Sequence, residues 1–253
     1  MGRRPYTRRV DAVTDRISFT KGSKDWLEFR SKNITGTELP TLFGLNQYSN
    51  PSKVYENKIH PTFTDNEFTR MGQILEPAVA KLTEHVLQIP VHQFSNGRAD
   101  MVIFNKDLRL SATPDAFTGT EDYIQELVEL KSTSIEKLNK WDDSPPLHYL
   151  LQLATQLYLA DLEYGYLTIM VPRYPDLPSI IYKFRLDADL FVKLVKPEID
   201  RFWDTFEVRK KLRFPINKKA AGELVDMLLI NTTKIHTDIK PLPTLEFNWG
   251  DTW

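Results

Sequence analysis

A mixed α/β (α+β) fold, with helices packed against a central mixed sheet, is predicted by three features of the sequence. Helical spacing dominates the first 88 residues, and short Val-, Ile- and Phe-rich runs broken by turn residues fill 91–133. A helix, two strand-like runs and a long helix follow. No repeat, low-complexity tract or Gly/Ser-rich linker divides the 253 residues. One domain is therefore expected over 1–253, with a basic arm at 1–22 and an extended tail at 237–253.

Residues 23–30 read as a short helix capped by Ser23, with Trp26, Phe29 and Arg30 on one face at i, i+3 and i+4 spacing. Core packing is the expected role of the two aromatics. Residues 35–38, Thr-Gly-Thr-Glu, read as the cap of a second short helix. Residues 65–88 carry the longest helical signal, with Leu75, Val79, Leu82 and Val86 on one face; Pro77 puts Glu76 at a kink or at the start of the second helical piece. Residues 91–133 predict an antiparallel meander turning near 96–97, 105–107 and 118–122. Residues 147–161 predict a helix with Leu150, Leu151, Ala154, Leu157 and Tyr158 inward. Strands at 164–171 and 180–185 and a long helix from 187 to about 211 complete the prediction.

The balance of 41% hydrophobic and 26% charged residues excludes a disordered or collagen-like chain. With no cysteine, thiolate zinc sites, iron–sulfur clusters, disulfide frameworks and cysteine nucleophiles are ruled out. Apolar stretches such as 165–172 fall far short of the roughly 20 residues of a membrane-spanning helix, and the charged start lacks a signal core; a cytoplasmic protein without a membrane partner is expected. The net charge of −1 argues against a general polyanion binder, yet charge is segregated. Arg3, Arg4, Arg8 and Arg9 crowd the start, a second basic run spans 209–219, and Glu121, Asp122, Glu126 and Glu129 lie together. Basic patches beside an acidic cluster suit a protein that binds an anion while holding cations.

Two segments carry the chemistry: 111–117, centred on Asp115, and 127–132, with Glu129 and Lys131. Side chains alternate along a strand, so Glu129 and Lys131 project together, Val128 and Leu130 face the core, and an adjacent strand can bring Asp115 beside Glu129. Two carboxylates and an ammonium at a sheet edge are costly to desolvate without a cation, and hard oxygen ligands suit Mg²⁺ or Mn²⁺. An Asp after Pro and a Glu-x-Lys on a strand are each common in proteins with no such role, so these segments alone do not decide the question.

Five blocks in fixed order extend the pattern: Trp26–Arg30 with Ile34–Glu38, Gly72–Ala78, Ala112–Ala116, Val128–Lys131 and Tyr149–Leu157. Together they resemble the lambda-exonuclease (YqaJ-type) viral recombinase branch of the PD-(D/E)XK nucleases. The resemblance implies a restriction-endonuclease-like core. It also implies that Asp115, Glu129 and the Leu130 carbonyl ligate metal, that Glu76 serves the second of two ions, and that Lys131 serves the attacking water. Gln152 then lies near the metal site, and Arg30, Thr37 and Thr113 hold a 5′-terminal phosphate. Ala116, Ser132-Thr133 and Ala154 depart from the family pattern, where Gly, Cys-Pro and a second glutamine are usual.

The implied activity is Mg²⁺-dependent degradation of linear double-stranded DNA from its ends, 5′ to 3′, leaving single-stranded tails for phage-type recombination. A ring-shaped trimer and a single-strand annealing protein as partner come with it. A structure-specific or restriction-type endonuclease using the same metal site is the alternative. A non-enzymatic DNA-end module is disfavoured by the presence of Asp115, Glu129, Lys131 and Glu76 together.

Overall fold

The computed structural model describes residues 8–9, 16–63, 66–94, 100–120, 123–141, 144–173, 177–208 and 214–238. Arg3, Arg4, Glu121, Asp122, the basic run through residue 213 and the tail beyond 238 lie outside them. The chain order is β1 (Arg8–Arg9), β2 (Arg16–Phe19), α1 (Lys24–Lys32), β3 (Ile34–Thr35), α2 (Leu39–Leu42), α3 (Pro51–Ile59), α4 (Glu67–Leu87), β4 (Val91–Gln93), β5 (Asp100–Asn105), β6 (Leu110–Ala112), β7 (Ala116–Thr120), β8 (Tyr123–Ser132), α5 (Ile135–Lys140), α6 (Leu147–Ala160), β9 (Tyr164–Met170), β10 (Ser179–Arg185), α7 (Ala188–Glu207), α8 (Lys218–Ile230) and β11 (Thr232–Thr237).

Two mixed sheets result. The larger runs β11-β10-β9-β8-β7-β4, with β1 beside the start of β8, and only its β8–β9 pair is parallel among the described strands. The smaller runs β2-β5-β6-β3, with β3 parallel to β6. The predicted meander over 91–133 is thus divided. β5 and β6 form a hairpin in the smaller sheet, while β4 pairs with β7. The break falls at 113–115, where Pro114 has no N–H to give a ladder; the chain leaves one sheet after Ala112 and enters the other at Ala116. The expected basic arm also contributes structure, since β2 pairs with β5 along Arg16–Phe19.

Helix α4 covers one face of the larger sheet. Its Val79 and Ala80 bury against Val128, Leu130, Tyr166 and Ile181, and the Thr83 hydroxyl meets Thr168 Oγ1 at 3.0 Å. Asn66 caps this helix by accepting from the Thr69 N–H, and Pro77 lies inside it. Helix α6 fills the space between the two sheets, touching β8 and β9 on one side and β5 and β6 on the other. Its Leu150, Leu151, Leu153, Ala154 and Leu157 are fully buried, each leucine contributing about 1.5–3 kcal/mol of apolar burial. The approach is closest at Gly165 of β9, where a Cβ would stand 2.9 Å from Leu153 Cδ1 and 3.0 Å from the Leu127 carbonyl oxygen. Helices α7 and α8 pack beside α6.

Ser23 caps α1 as predicted, accepting from the Trp26 N–H at 3.2 Å. Residues 35–38 differ from the prediction. Thr35 belongs to β3, and Glu38, at the start of the four-residue α2, turns its carboxylate back onto Thr35 instead of capping the helix. Elements β1, β2, β3, α3, α5, α8 and β11 lie outside the expected elements. Among the described residues no helix is long and apolar enough to cross a membrane.

Candidate active site

The antiparallel β7–β8 ladder ends at Ala116 opposite Val128. One step further, Asp115 replaces the missing ladder partner: its Oδ2 accepts the Leu130 N–H at 2.9 Å. That bond locks the Asp115 carboxylate next to the face from which Glu129 and Lys131 project. Val128 and Leu130 point to α4, and Glu129 turns the other way, toward α6, as strand alternation requires.

Glu129 is fully buried. Its Oε1 forms an ion pair with Lys131 Nζ but has no aligned hydrogen bond, and Lys131 Nζ also lies 3.5 Å from Asp115 Oδ2. Burial and then the neighbouring Asp115 charge push the Glu129 carboxyl well above the usual carboxylate range, against the pull of Lys131. Burial disfavours the charged form of Lys131, yet the Asp115 and Glu129 carboxylates outweigh it, so its ammonium is held above the ordinary lysine value. One ammonium thus serves two crowded carboxylates. Tyr149 places its ring 5.5 Å from the same Nζ, and the adjacent His148 is lowered to about 4 by burial and by Lys131.

Asp115 and Gln156, which flank the buried Glu129, line a cavity of about 650 Å³. Asp115 and, from α4, Glu76 form its acidic side, whereas Lys21 and Arg30 line the basic one together with the hydroxyl residues Thr37 and Thr113. The parallel β3–β6 pair creates that juxtaposition. It sets Thr35 opposite Ser111, and two residues beyond each lie Thr37 and Thr113. Trp26 is buried and holds the Arg30 guanidinium over its ring at 4.5 Å. Phe29 packs between Phe19 and Phe104. Trp26 is buried as expected, whereas Phe29 is half-buried, and both line the cavity.

The two glutamines of α6 divide between the two sides. Gln152 faces the threonine segment: a Cβ at Gly36 would lie 3.6 Å from its Cγ. Gln156, one turn later and fully buried, gives its Nε2 to Glu129 Oε2 at 2.6 Å and to the Thr113 carbonyl at 3.2 Å. The residue that touches the buried carboxylate is therefore Gln156, which the sequence reading passed over; its i+4 spacing from Gln152 was the available signal.

Among the described residues no three His, Cys, Asp or Glu side chains converge on one point. The donors that do come together are the Asp115 and Glu129 carboxylates, both beside Lys131 Nζ, with the Leu130 N–H bonded to Asp115. This all-oxygen set with excess negative charge fits a hard divalent cation. The incompletely bonded Glu129 Oε1 is the atom such an ion would satisfy.

Comparison with known proteins is consistent with this geometry. The family model for the YqaJ-like viral recombinase domain matches residues 25–163, more than half of the chain, including Arg30, Thr37, Glu76, Thr113, Asp115, Glu129, Lys131, Gln152 and Gln156. Uncharacterised protein R354 of Acanthamoeba polyphaga mimivirus is 22% identical over 168 residues, covering 61% of this chain and 30% of that protein. Uncharacterised protein YqaJ of Bacillus subtilis (strain 168) is 23% identical over 198 residues, 71% of this chain and 55% of that protein. The chain thus spans about half or less of these curated relatives. In fold, it is similar to the alkaline exonuclease LHK-Exo of Laribacter hongkongensis, with a TM-score of 0.54 at 17% identity, covering 80% of this chain and 100% of that one. A phage-related exonuclease from Haemophilus somnus 129PT gives a TM-score of 0.51 at 11% identity, covering 70% of this chain and 94% of that one. The mixed α/β core flanked by helices is shared with these exonucleases, and the chain belongs to the YqaJ-like viral recombinase domain family.

Proposed function

We propose that the protein is a divalent-metal-dependent deoxyribonuclease that degrades linear double-stranded DNA from its ends, 5′ to 3′, and leaves single-stranded tails for recombination. The observation that carries this reading is one cavity lined both by Asp115, whose carboxylate shares the Lys131 ammonium with the buried Glu129, and by the basic residues Lys21 and Arg30. Asp115, Glu129 and the Leu130 carbonyl would hold one Mg²⁺, with Mn²⁺ an alternative, and Glu76, which lines the same cavity, would serve a second. The bound cations supply positive charge to the scissile phosphate and make water easier to deprotonate.

The chain's own groups do the rest. The Asp115 carboxylate is fixed by the Leu130 N–H, and Glu129 is fixed by Gln156, so neither donor must reorganise as charge develops. Lys131, beside both, serves the attacking water. Arg30, with Thr37 and Thr113, is placed to receive a terminal phosphate at the far side, which would set the distance from the chain end to the scissile bond. Family resemblance adds a ring of three copies and an annealing protein as partner. A near-neutral monomer fits such a ring, because three modest basic patches would line one channel. Native mass at low and moderate salt is expected to be that of a trimer; a monomer under both conditions would count against it.

The deciding experiment is release of nucleotides from 5′-phosphorylated linear duplex DNA with Mg²⁺, using closed circular DNA and the Lys131→Ala protein as controls. Digestion of the linear substrate alone, abolished in Lys131→Ala, is expected. Cutting of the circle would show an endonuclease, and no cleavage with Mg²⁺ or Mn²⁺ would overturn the nuclease reading.

A further inference from the structure

Behind the basic wall lies an ion pair that the chemistry above does not use. Lys58, on α3, is buried, and its Nζ lies 2.8 Å from the Arg30 carbonyl, 2.7 Å from the Asn33 carbonyl and 2.6 Å from Glu38 Oε2. Three acceptors match the three N–H groups of an ammonium. The two carbonyls belong to the last turn and cap of α1, where a cation is favoured. Glu38 Oε2 also accepts from the Thr35 N–H and the Thr35 hydroxyl, each at 2.9 Å, and Thr35 Oγ1 lies 3.0 Å from Thr37 Oγ1. One nitrogen thus holds the main chain of Arg30 and, through Glu38 and Thr35, the hydroxyl of Thr37.

These are the residues that line the basic side of the cavity, and a bare carboxylate behind them would repel an anion. We infer that the buried Lys58–Glu38 pair is a positioning element for a terminal phosphate: Lys58 fixes Arg30 and Thr37 and cancels the Glu38 charge that would otherwise oppose the phosphate. The inference rests on the reading of Arg30 and Thr37 as the phosphate side. Thr37 can give its proton to a phosphate oxygen while accepting one from Thr35, whose hydroxyl then turns away from Glu38. The Lys58 ammonium and the Thr35 N–H keep Glu38 Oε2 satisfied when that happens.

The charge argument makes two substitutions act in opposite directions. Lys58→Met leaves a carboxylate beside the anion and weakens its binding. Glu38→Gln keeps an acceptor for Lys58 and Thr35 but leaves a net positive charge, and strengthens it. The test is equilibrium binding, by fluorescence anisotropy in EDTA, of short duplexes that differ only in a 5′-phosphate or 5′-hydroxyl end, with thermal melting by circular dichroism on every variant. The preference for the phosphorylated end is expected to fall roughly tenfold in Lys58→Met, to rise in Glu38→Gln and to return near wild type in the double variant. A merely structural role would lower it in both single variants, and that result overturns the inference; so does an unchanged preference in well-folded Lys58→Met. If Lys58→Met does not fold, a failure of Glu38→Gln to raise the preference also overturns it. Equal binding of both ends by the wild-type protein would remove the phosphate reading itself.

Discussion

Two Glu–Lys pairs among the described residues each have one buried member, Lys58 and Glu129, and they are built to opposite specifications. At Glu38–Lys58 one carboxylate meets one ammonium, and the surrounding main chain and Thr35 complete the bonding of both. At Glu129–Lys131 a second carboxylate, Asp115, crowds the same ammonium, and Glu129 Oε1 lacks an aligned hydrogen bond. Burial would raise Glu38, but Lys58, Arg30 and the Thr35 N–H outweigh it and hold the carboxyl below its usual value, whereas Glu129 is held above its own. Burial pulls Lys58 below the ordinary lysine value, which Glu38 only partly offsets. The three acceptors around Nζ nonetheless identify the charged form, because a neutral amine has too few N–H groups to serve them. A satisfied pair braces structure, and a short-changed pair is poised for a ligand.

The comparison can be broken by substitution. The largest effect is expected for Asp115→Asn, which removes one of two charged donors: cleavage of linear duplex falls by about a thousandfold or more, in a steady-state nuclease assay, while the thermal melt is retained. Lys58→Met should act chiefly on stability, with its smaller effect on DNA binding confined to the phosphorylated end. Leaving a buried carboxylate uncompensated costs about 3–5 kcal/mol of stability in urea unfolding, and a loss below 1 kcal/mol would show that the pair does not brace the fold. Gln156→Leu frees the Glu129 carboxylate without removing it, so Mg²⁺ affinity, read by isothermal titration, is expected to fall about 10- to 100-fold. Glu129→Gln relieves like-charge crowding, and stability should change by less than about 1 kcal/mol or increase.

The smallest effect is a pH dependence. A carboxyl whose folded pKa is depressed contributes stability above its unfolded value, near 4.3, and loses it as pH falls through the folded one. The difference in unfolding free energy between wild type and the Lys58→Met/Glu38→Gln double variant should therefore shrink as pH falls below about 4. A difference unchanged down to pH 2 would assign that stability to packing instead of charge.

Much of the candidate catalytic side was legible in the sequence because its logic is local. Strand alternation alone puts Glu129 and Lys131 on one face, and the structure places Asp115 beside them across one ladder. The bracing pair was not legible. Lys58 reaches acceptors 20 to 28 residues away, and nothing in its neighbourhood marks a buried lysine. Helical spacing put Gln152 and Gln156 on one face of α6, but the depth to which each reaches depends on packing between two sheets. The meander failed for a related reason. Neighbouring strands in sequence usually pair, and the separation of the β5–β6 hairpin from β4 depends on where Pro114 ends one ladder. Helix α8 had a readable stripe in Leu224, Met227 and Leu228 that went unused.

Gly165 extends this lesson beyond the cavity. The hydrogen atom it carries in place of a methyl lets α6 settle against β9, and Gln156 meets Glu129 at 2.6 Å only at that depth. The glycine works as a thickness gauge: a methyl there would press on the Leu127 carbonyl of β8, the strand that carries Glu129, as well as on the tip of Leu153, and something must give by a fraction of an ångström. A screen for lost cleavage should return position 165 among its hits, although that residue never meets DNA.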